Sequence, residues 1–139
     1  MSKTNPDDNN FVKWVEKEAG GSLTRLLILC IIHEANQNGT DAWGYDIQKK
    51  LRLITKSSDS VKNSSLYTIL KRFKRIELVK SIKKEKRVVY TLTEKGKVSM
   101  EVGYEYWKQL VKSSILAFDS LGFEVIDFLK EEELIVEDD

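Results

Sequence analysis

NSSLYTILKRFKRIELV, residues 63–79, decides how this chain is read. Leu66, Ile69, Leu70 and Phe73 recur at steps of three and four, which gathers them on one face of a helix. The other side begins polar, with Asn63, Ser64, Ser65, Tyr67 and Thr68, and ends basic, with Lys71, Arg72, Lys74 and Arg75. Such a helix, expected from about Asn63 to Ile76, keeps one face in its own domain and offers the other to a partner. Directly after it the period changes. VKSIKKEKRVVYTLT, 79–93, alternates and is rich in Val, Ile, Thr and Tyr. It reads as two strands, about 79–83 and 87–92, joined at Lys84-Glu85.

Toward the N-terminus, TKSSDS (55–60) is a polar loop, and AWGYDIQKKLRLI (42–54) is a helix with Tyr45, Ile47, Leu51 and Ile54 turned to the core. NQNGTD (36–41) is a second loop. Before it, a helix from Leu23 to about Ala35, capped by Ser22, carries the run LLILCII (26–32) and should be the central buried element. FVKWVEKEA (11–19) forms a short amphipathic helix that Gly20-Gly21 ends. Residues 1–10 are unpatterned. Toward the C-terminus, Thr93 stands where a helix N-cap belongs, and a long helix runs from Glu94 to about Leu121. Its stripe of Met100, Tyr104, Trp107, Val111, Ile115 and Phe118 approaches the spacing of a coiled-coil seam. Gly122 breaks or kinks it, and FEVIDFLKEEELIVEDD adds a small apolar face and an acidic end.

Two helices joined by a short loop and followed by a β-hairpin make a winged helix-turn-helix. The expected fold is therefore mainly α with a β wing, extended by a long C-terminal dimerisation helix. The organisation is an arm and short helix at 1–21, the winged domain at 22–93, the dimerisation helix at 94–121 and an acidic extension at 122–139. In this fold the second helix of the pair enters the DNA major groove. The hydroxyl, amide and ammonium groups of Asn63, Ser64, Ser65, Tyr67, Thr68 and Lys71 suit phosphates or base edges. Lys83, Lys84, Lys86 and Arg87, at the hairpin tip, suit phosphates. An ordinary amphipathic helix in a helical protein is the plainer alternative.

Charge fits the first reading without deciding for it. The net charge of +1 conceals a basic middle. From Lys49 to Lys97 there are sixteen Lys+Arg against four Asp+Glu, a balance of +12, whereas the segment after Lys97 carries −8. A local excess of this size suits a polyanion such as double-stranded DNA, although a solvated lysine-rich surface gives the same count. Chemistry of other kinds finds little support. The single cysteine, Cys30, excludes an internal disulfide and lies in an apolar run, so it reads as core. The single histidine, His33, reads as a satisfied structural residue. One His and one Cys offer no metal cluster, Gly20-Gly21 lacks the lysine of a phosphate loop, and EEE at 131–133 is a solvated run. No enzyme and no cofactor are expected. The seven-residue apolar run is too short to span a bilayer, and MSKTNPDDNN does not read as a signal peptide. A soluble, cytoplasmic protein is expected.

LLILCII, GYDI at 44–47, SSLYTILKRF at 64–73, Leu78-Val79 and VYTLTEKG at 89–96 together resemble the PadR family of transcriptional regulators. The likeness covers about residues 23–107. Its three signatures occur in order: Gly-Tyr in the first helix of the pair, Leu-Tyr in the recognition helix, and Tyr-x-Leu-Thr-x-x-Gly leaving the wing. The resemblance implies a cytoplasmic homodimer that represses transcription from a near-palindromic operator, with the helix after the wing as interface. It also places Trp107 where some multidrug-sensing members stack flat aromatic ligands, so a small aromatic effector is one implication and plain dimer packing is the other. Two departures stand out. The wing tip KKEK (83–86) is short and lacks glycine, and Lys62 moves the expected helix cap to Asn63. A winged-helix protein that organises or partitions DNA, and a protein–protein module without DNA binding, are the rival readings.

Overall fold

The computed structural model describes residues 9–55 and 63–135, with side chains described over 23–55 and 65–135. The elements are α1 (Asn9–Gln37), β1 (Ala42–Trp43), α2 (Gly44–Thr55), α3 (Asn63–Arg75), β2 (Val79–Lys84), β3 (Arg87–Leu92), α4 (Glu94–Ser120) and α5 (Val125–Glu131). The three strands form one antiparallel sheet in the order β1-β3-β2. Two compact units, Met1–Val102 and Gly103–Asp139, divide the chain within α4.

The first unit is a winged helix-turn-helix. Its core joins Ile28, Leu29, Ile31 and Ile32 of α1 to Ile47 and Leu51 of α2, Leu66, Leu70 and Phe73 of α3, Leu78 of the turn after α3, and Val79, Tyr90 and Leu92 of the sheet. The stripe expected on α3 is buried as read: Leu66 and Leu70 are fully enclosed, and Ile69 packs against them from the edge. Truncating Leu66 to alanine would cost about 2–5 kcal/mol. Most buried positions of α1 fall in the run Leu26–Ile32, as its near-continuous hydrophobicity requires.

Three expectations are corrected. Gly20-Gly21 does not end a helix, because α1 runs unbroken from Asn9 to Gln37. A glycine weakens a helix interior by about 1 kcal/mol but does not remove a backbone hydrogen bond. The helix expected from Ala42 starts at Gly44 instead. Ala42 and Trp43 pair with Tyr90 and Val89 as a short strand, which puts the small Ala42 side chain in the core. The face of α2 also differs, since Tyr45 and Ile54 are exposed while Gln48 is buried beside Ile47 and Leu51. The loop expected at 55–60 and the effect of Lys62 on the cap lie outside the described residues, as do the side chains of the expected helix 11–19.

The hairpin pairs Val79 with Leu92 and Lys84 with Arg87, leaving a two-residue turn at Glu85-Lys86, one position later than expected. Both residues have positive φ, 49° and 70°, the geometry whose twist matches that of a hairpin. Asn36 completes the sheet beyond the short β1. Its amide donates to the Tyr90 carbonyl at 3.3 Å and accepts from the Leu92 N–H at 3.0 Å.

Thr93 ties the wing's exit to the end of α3. Its hydroxyl donates to the Glu77 carbonyl at 2.6 Å and accepts from the Gly96 N–H at 3.0 Å, which is the expected N-cap bond of α4. The Thr93 N–H meets the Leu78 carbonyl at 3.1 Å. A Cβ on Gly96 would stand 2.0 Å from that same carbonyl oxygen, so only glycine lets α4 leave the sheet this closely. The Leu-Thr-x-x-Gly signature is therefore a joint between wing, α3 and α4.

Candidate nucleic-acid interface

With its apolar stripe buried, α3 turns Ser65, Tyr67, Thr68 and Lys71 outward, and all four are exposed. Asn63 and Ser64 belong to its first turn, but their side chains lie outside the described residues. Tyr67 is half exposed, at 51%, and its ring folds back over the start of α2. Burial raises the phenol pKa of Tyr90 above its ordinary value, and the nearby Tyr67 phenol raises it further. The Tyr90 hydroxyl thus stays protonated at neutral pH and can donate or accept.

The α2 helix adds groups that reading from sequence placed elsewhere. Tyr45, Lys49 and Arg52, at i, i+4 and i+7, share an exposed face and line an open groove of about 210 Å³ with Gln48 and Leu53. In a helix-turn-helix the first helix crosses the nucleic-acid backbone, where two cations on one face have an evident use. The signal was present in the sequence as Lys and Arg at helical spacing from Tyr45. It is masked by the apolar positions Ile47, Leu51 and Ile54 of the same helix, with which Tyr45 is grouped as core.

The four wing residues divide into two pairs. Lys84 forms an ion pair with Asp41 at 3.0 Å, and the Arg87 guanidinium lies over the Trp43 ring, 4.3 Å from its centroid. Trp43 in turn packs on Tyr45, with ring centroids 5.4 Å apart. Trp43, Val89 and Ile82 are cross-strand partners in one row of the sheet, so this stack anchors the outer face of the wing. Lys83 and Lys86 are exposed and have no ion-pair partner among the described residues. Two wing cations are thus held by the molecule itself and two project freely.

The expected interface helix also divides. Met100 packs against the core of the winged unit. Further along, Trp107 and Ile115 are half-buried, whereas Tyr104, Val111 and Phe118 are exposed. Phe118 meets Phe123 edge to face at 5.6 Å. The expectation for His33 is corrected: its Nδ1 is enclosed and has no hydrogen-bond partner among the described residues. Mid-helix N–H groups of α1 are already engaged with carbonyls one turn back, which leaves no local donor for the ring. No group of three potential metal ligands occurs among the described residues, and no helix there is long and apolar enough to cross a membrane.

The model of the transcriptional regulator PadR-like family matches residues 28–102, which is more than half of the chain and runs from the last third of α1 through the first turns of α4. The chain belongs to this family. Solved PadR-like structures agree. A PadR family transcription regulator from Clostridium difficile is 28% identical, with a TM-score of 0.56 over 68% of this chain and 96% of that one. A PadR-like regulator from Bacillus cereus has a TM-score of 0.60 over 80% of this chain and 99% of that one, at 24% identity, and shares the fold. A Bordetella bronchiseptica protein whose DNA binding is regulated by 6-hydroxynicotinic acid has the same fold at 12% identity and a TM-score of 0.57. No curated protein sequence matches the chain. The three PadR signatures have distinct physical duties in this member: Gly44 admits Tyr67, Tyr67 faces outward on α3, and Thr93 with Gly96 locks the wing's exit.

Proposed function

We propose that this PadR-like chain is a homodimeric, sequence-specific DNA-binding regulator, acting as a repressor. The observation that carries the reading is the division of α3. Leu66, Leu70 and Phe73 fix the helix in the core, while Ser65, Tyr67, Thr68 and Lys71 stay exposed, as do Lys49 and Arg52 of α2. The outward residues of α3 read base edges and phosphates, the α2 cations grip the backbone, and Lys83, Lys86 and the Trp43-supported Arg87 reach flanking phosphates. Dimerisation through α4 places two recognition helices on the two half-sites of a palindrome. Trp107 packs between the two copies, and a flat aromatic effector would enter beside it.

The test is binding of the full chain to DNA from immediately upstream of its own gene, against a random-sequence duplex pool, at several salt concentrations. Preferential binding at moderate salt with a two-fold symmetric footprint is expected. Equal, cooperative coverage of every duplex would favour a DNA-organising protein instead. No binding at low salt would leave only a protein–protein module.

A further inference from the structure

We infer that Gly44 is a positioning residue for Tyr67: the missing side chain at the start of α2 is the seat that holds the Tyr67 phenol in place on the outward surface of α3. The inference rests on the DNA-binding reading above.

Gly44 is buried, and a Cβ built on it would stand 2.6 Å from the Tyr67 hydroxyl oxygen and 2.8 and 2.9 Å from Cε1 and Cζ of the ring. Side-chain carbons do not approach other atoms so closely. The requirement is for space alone, because Gly44 does not adopt the positive φ that marks Gly39 and Gly122. It also differs in kind from the requirement at Gly96, where the obstacle is a backbone carbonyl. At Gly44 the obstacle is the far end of a side chain that is half exposed and can swing away. An added methyl should therefore leave the fold intact and displace the phenol. Seated on Gly44 near Tyr90, the Tyr67 ring spans the junction between α2 and α3 in one orientation. That removes rotamer freedom that binding would otherwise have to restrict.

The experiment measures affinity for the tightest duplex from the binding test above, together with thermal melting, for the wild type, Gly44→Ala, Tyr67→Ala and the double variant. Gly44→Ala should melt like the wild type yet bind roughly tenfold more weakly, the scale of one lost hydrogen bond to a charged or polar group. Tyr67→Ala should lose a similar factor, and the double variant should bind no more weakly than Tyr67→Ala. Wild-type affinity in Gly44→Ala overturns the inference. So does an additive loss in the double variant, which would mean that position 44 acts through the α2 backbone. If Gly44→Ala melts lower, restoration by Tyr67→Ala supports the seat and failure to restore overturns it. A wild type that does not prefer any duplex sinks the DNA-binding reading itself, and the role of Tyr67 with it.

Discussion

At the residue scale, four helices end in the same way. At the ends of α1, α3, α4 and α5 an N–H reaches back five residues: Thr40 to Ala35, Leu78 to Phe73, Phe123 to Phe118, and Leu134 to Leu129. The residue before each of those donors has positive φ, the arrangement of a Schellman cap. Two of these positions are glycine, Gly39 and Gly122, and two are glutamate, Glu77 and Glu133. A non-glycine residue there is disfavoured by about 1–2 kcal/mol, partly offset by the extra unfolded-state freedom of glycine. Glu77→Gly should therefore stabilise the winged unit by roughly 0.5–1 kcal/mol, and its melting temperature should rise by a few degrees. An unchanged or lower melting temperature would mean that the Glu77 side chain earns its place by other contacts. Cys30 gives a second test. Burial raises its thiol pKa above the ordinary 9.0. A raised folded-state pKa means less thiolate at any given pH, and stability that declines as pH rises through and beyond the ordinary thiol value. Alkylation of Cys30 at pH 8 should be slower in the native protein than in urea, and equal rates would contradict its partial burial.

At the scale of elements, the wing combines a strained turn with a strong anchor. Glu85 and Lys86 occupy backbone positions usually taken by Asn-Gly. Arg87 on Trp43 and Lys84 on Asp41 hold the strands where they enter and leave the turn. Arg87→Ala should lower affinity for every duplex alike and reduce the salt slope by about 1. Trp43→Ala keeps the charge and loses only its support. It should weaken binding less and leave the slope unchanged, as titration at three salt concentrations would reveal. An equal slope change in both variants would show that Trp43 itself contacts the nucleic acid. Much of this architecture was legible in the sequence because amphipathic elements announce their period: the α3 stripe, the hairpin alternation and the Thr93 cap are all local patterns. What escaped was non-local. Nothing around Ala42-Trp43 indicates that two residues will pair with Val89 and Tyr90, nearly fifty positions away. Nor does the sequence of GYDI show that its glycine is kept open by a tyrosine on another helix. The reversed face of Tyr45 follows from the same cause, since the strand before α2 sets the rotation at which that helix begins.

At the scale of the whole molecule, the two units differ in what they bury. The winged unit encloses a full core, whereas none of the described residues from 103 to 135 is buried. Tyr104, Val111 and Phe118, seven residues apart along α4, are each about half exposed. A seven-residue repeat of apolar side chains on a helix faces a partner in a supercoiled pair, and exposed apolar area of this extent marks an association surface. In the proposed homodimer a second copy would cover it, and the two recognition helices would then meet half-sites about 34 Å apart. Val111→Glu places a charge in the middle of this seam, on an exposed helical position that the winged unit's core does not use. The variant should melt like the wild type in its winged unit and sediment as a monomer. Operator affinity should fall by roughly 10²-fold or more, because the second half-site is no longer tethered to the first. Contacts with each half-site should survive, so at high protein concentration the two half-sites should fill independently, without cooperativity. A Val111→Glu chain that still sediments as a dimer would move the interface away from this face, and with it the geometry by which two copies of α3 reach one operator.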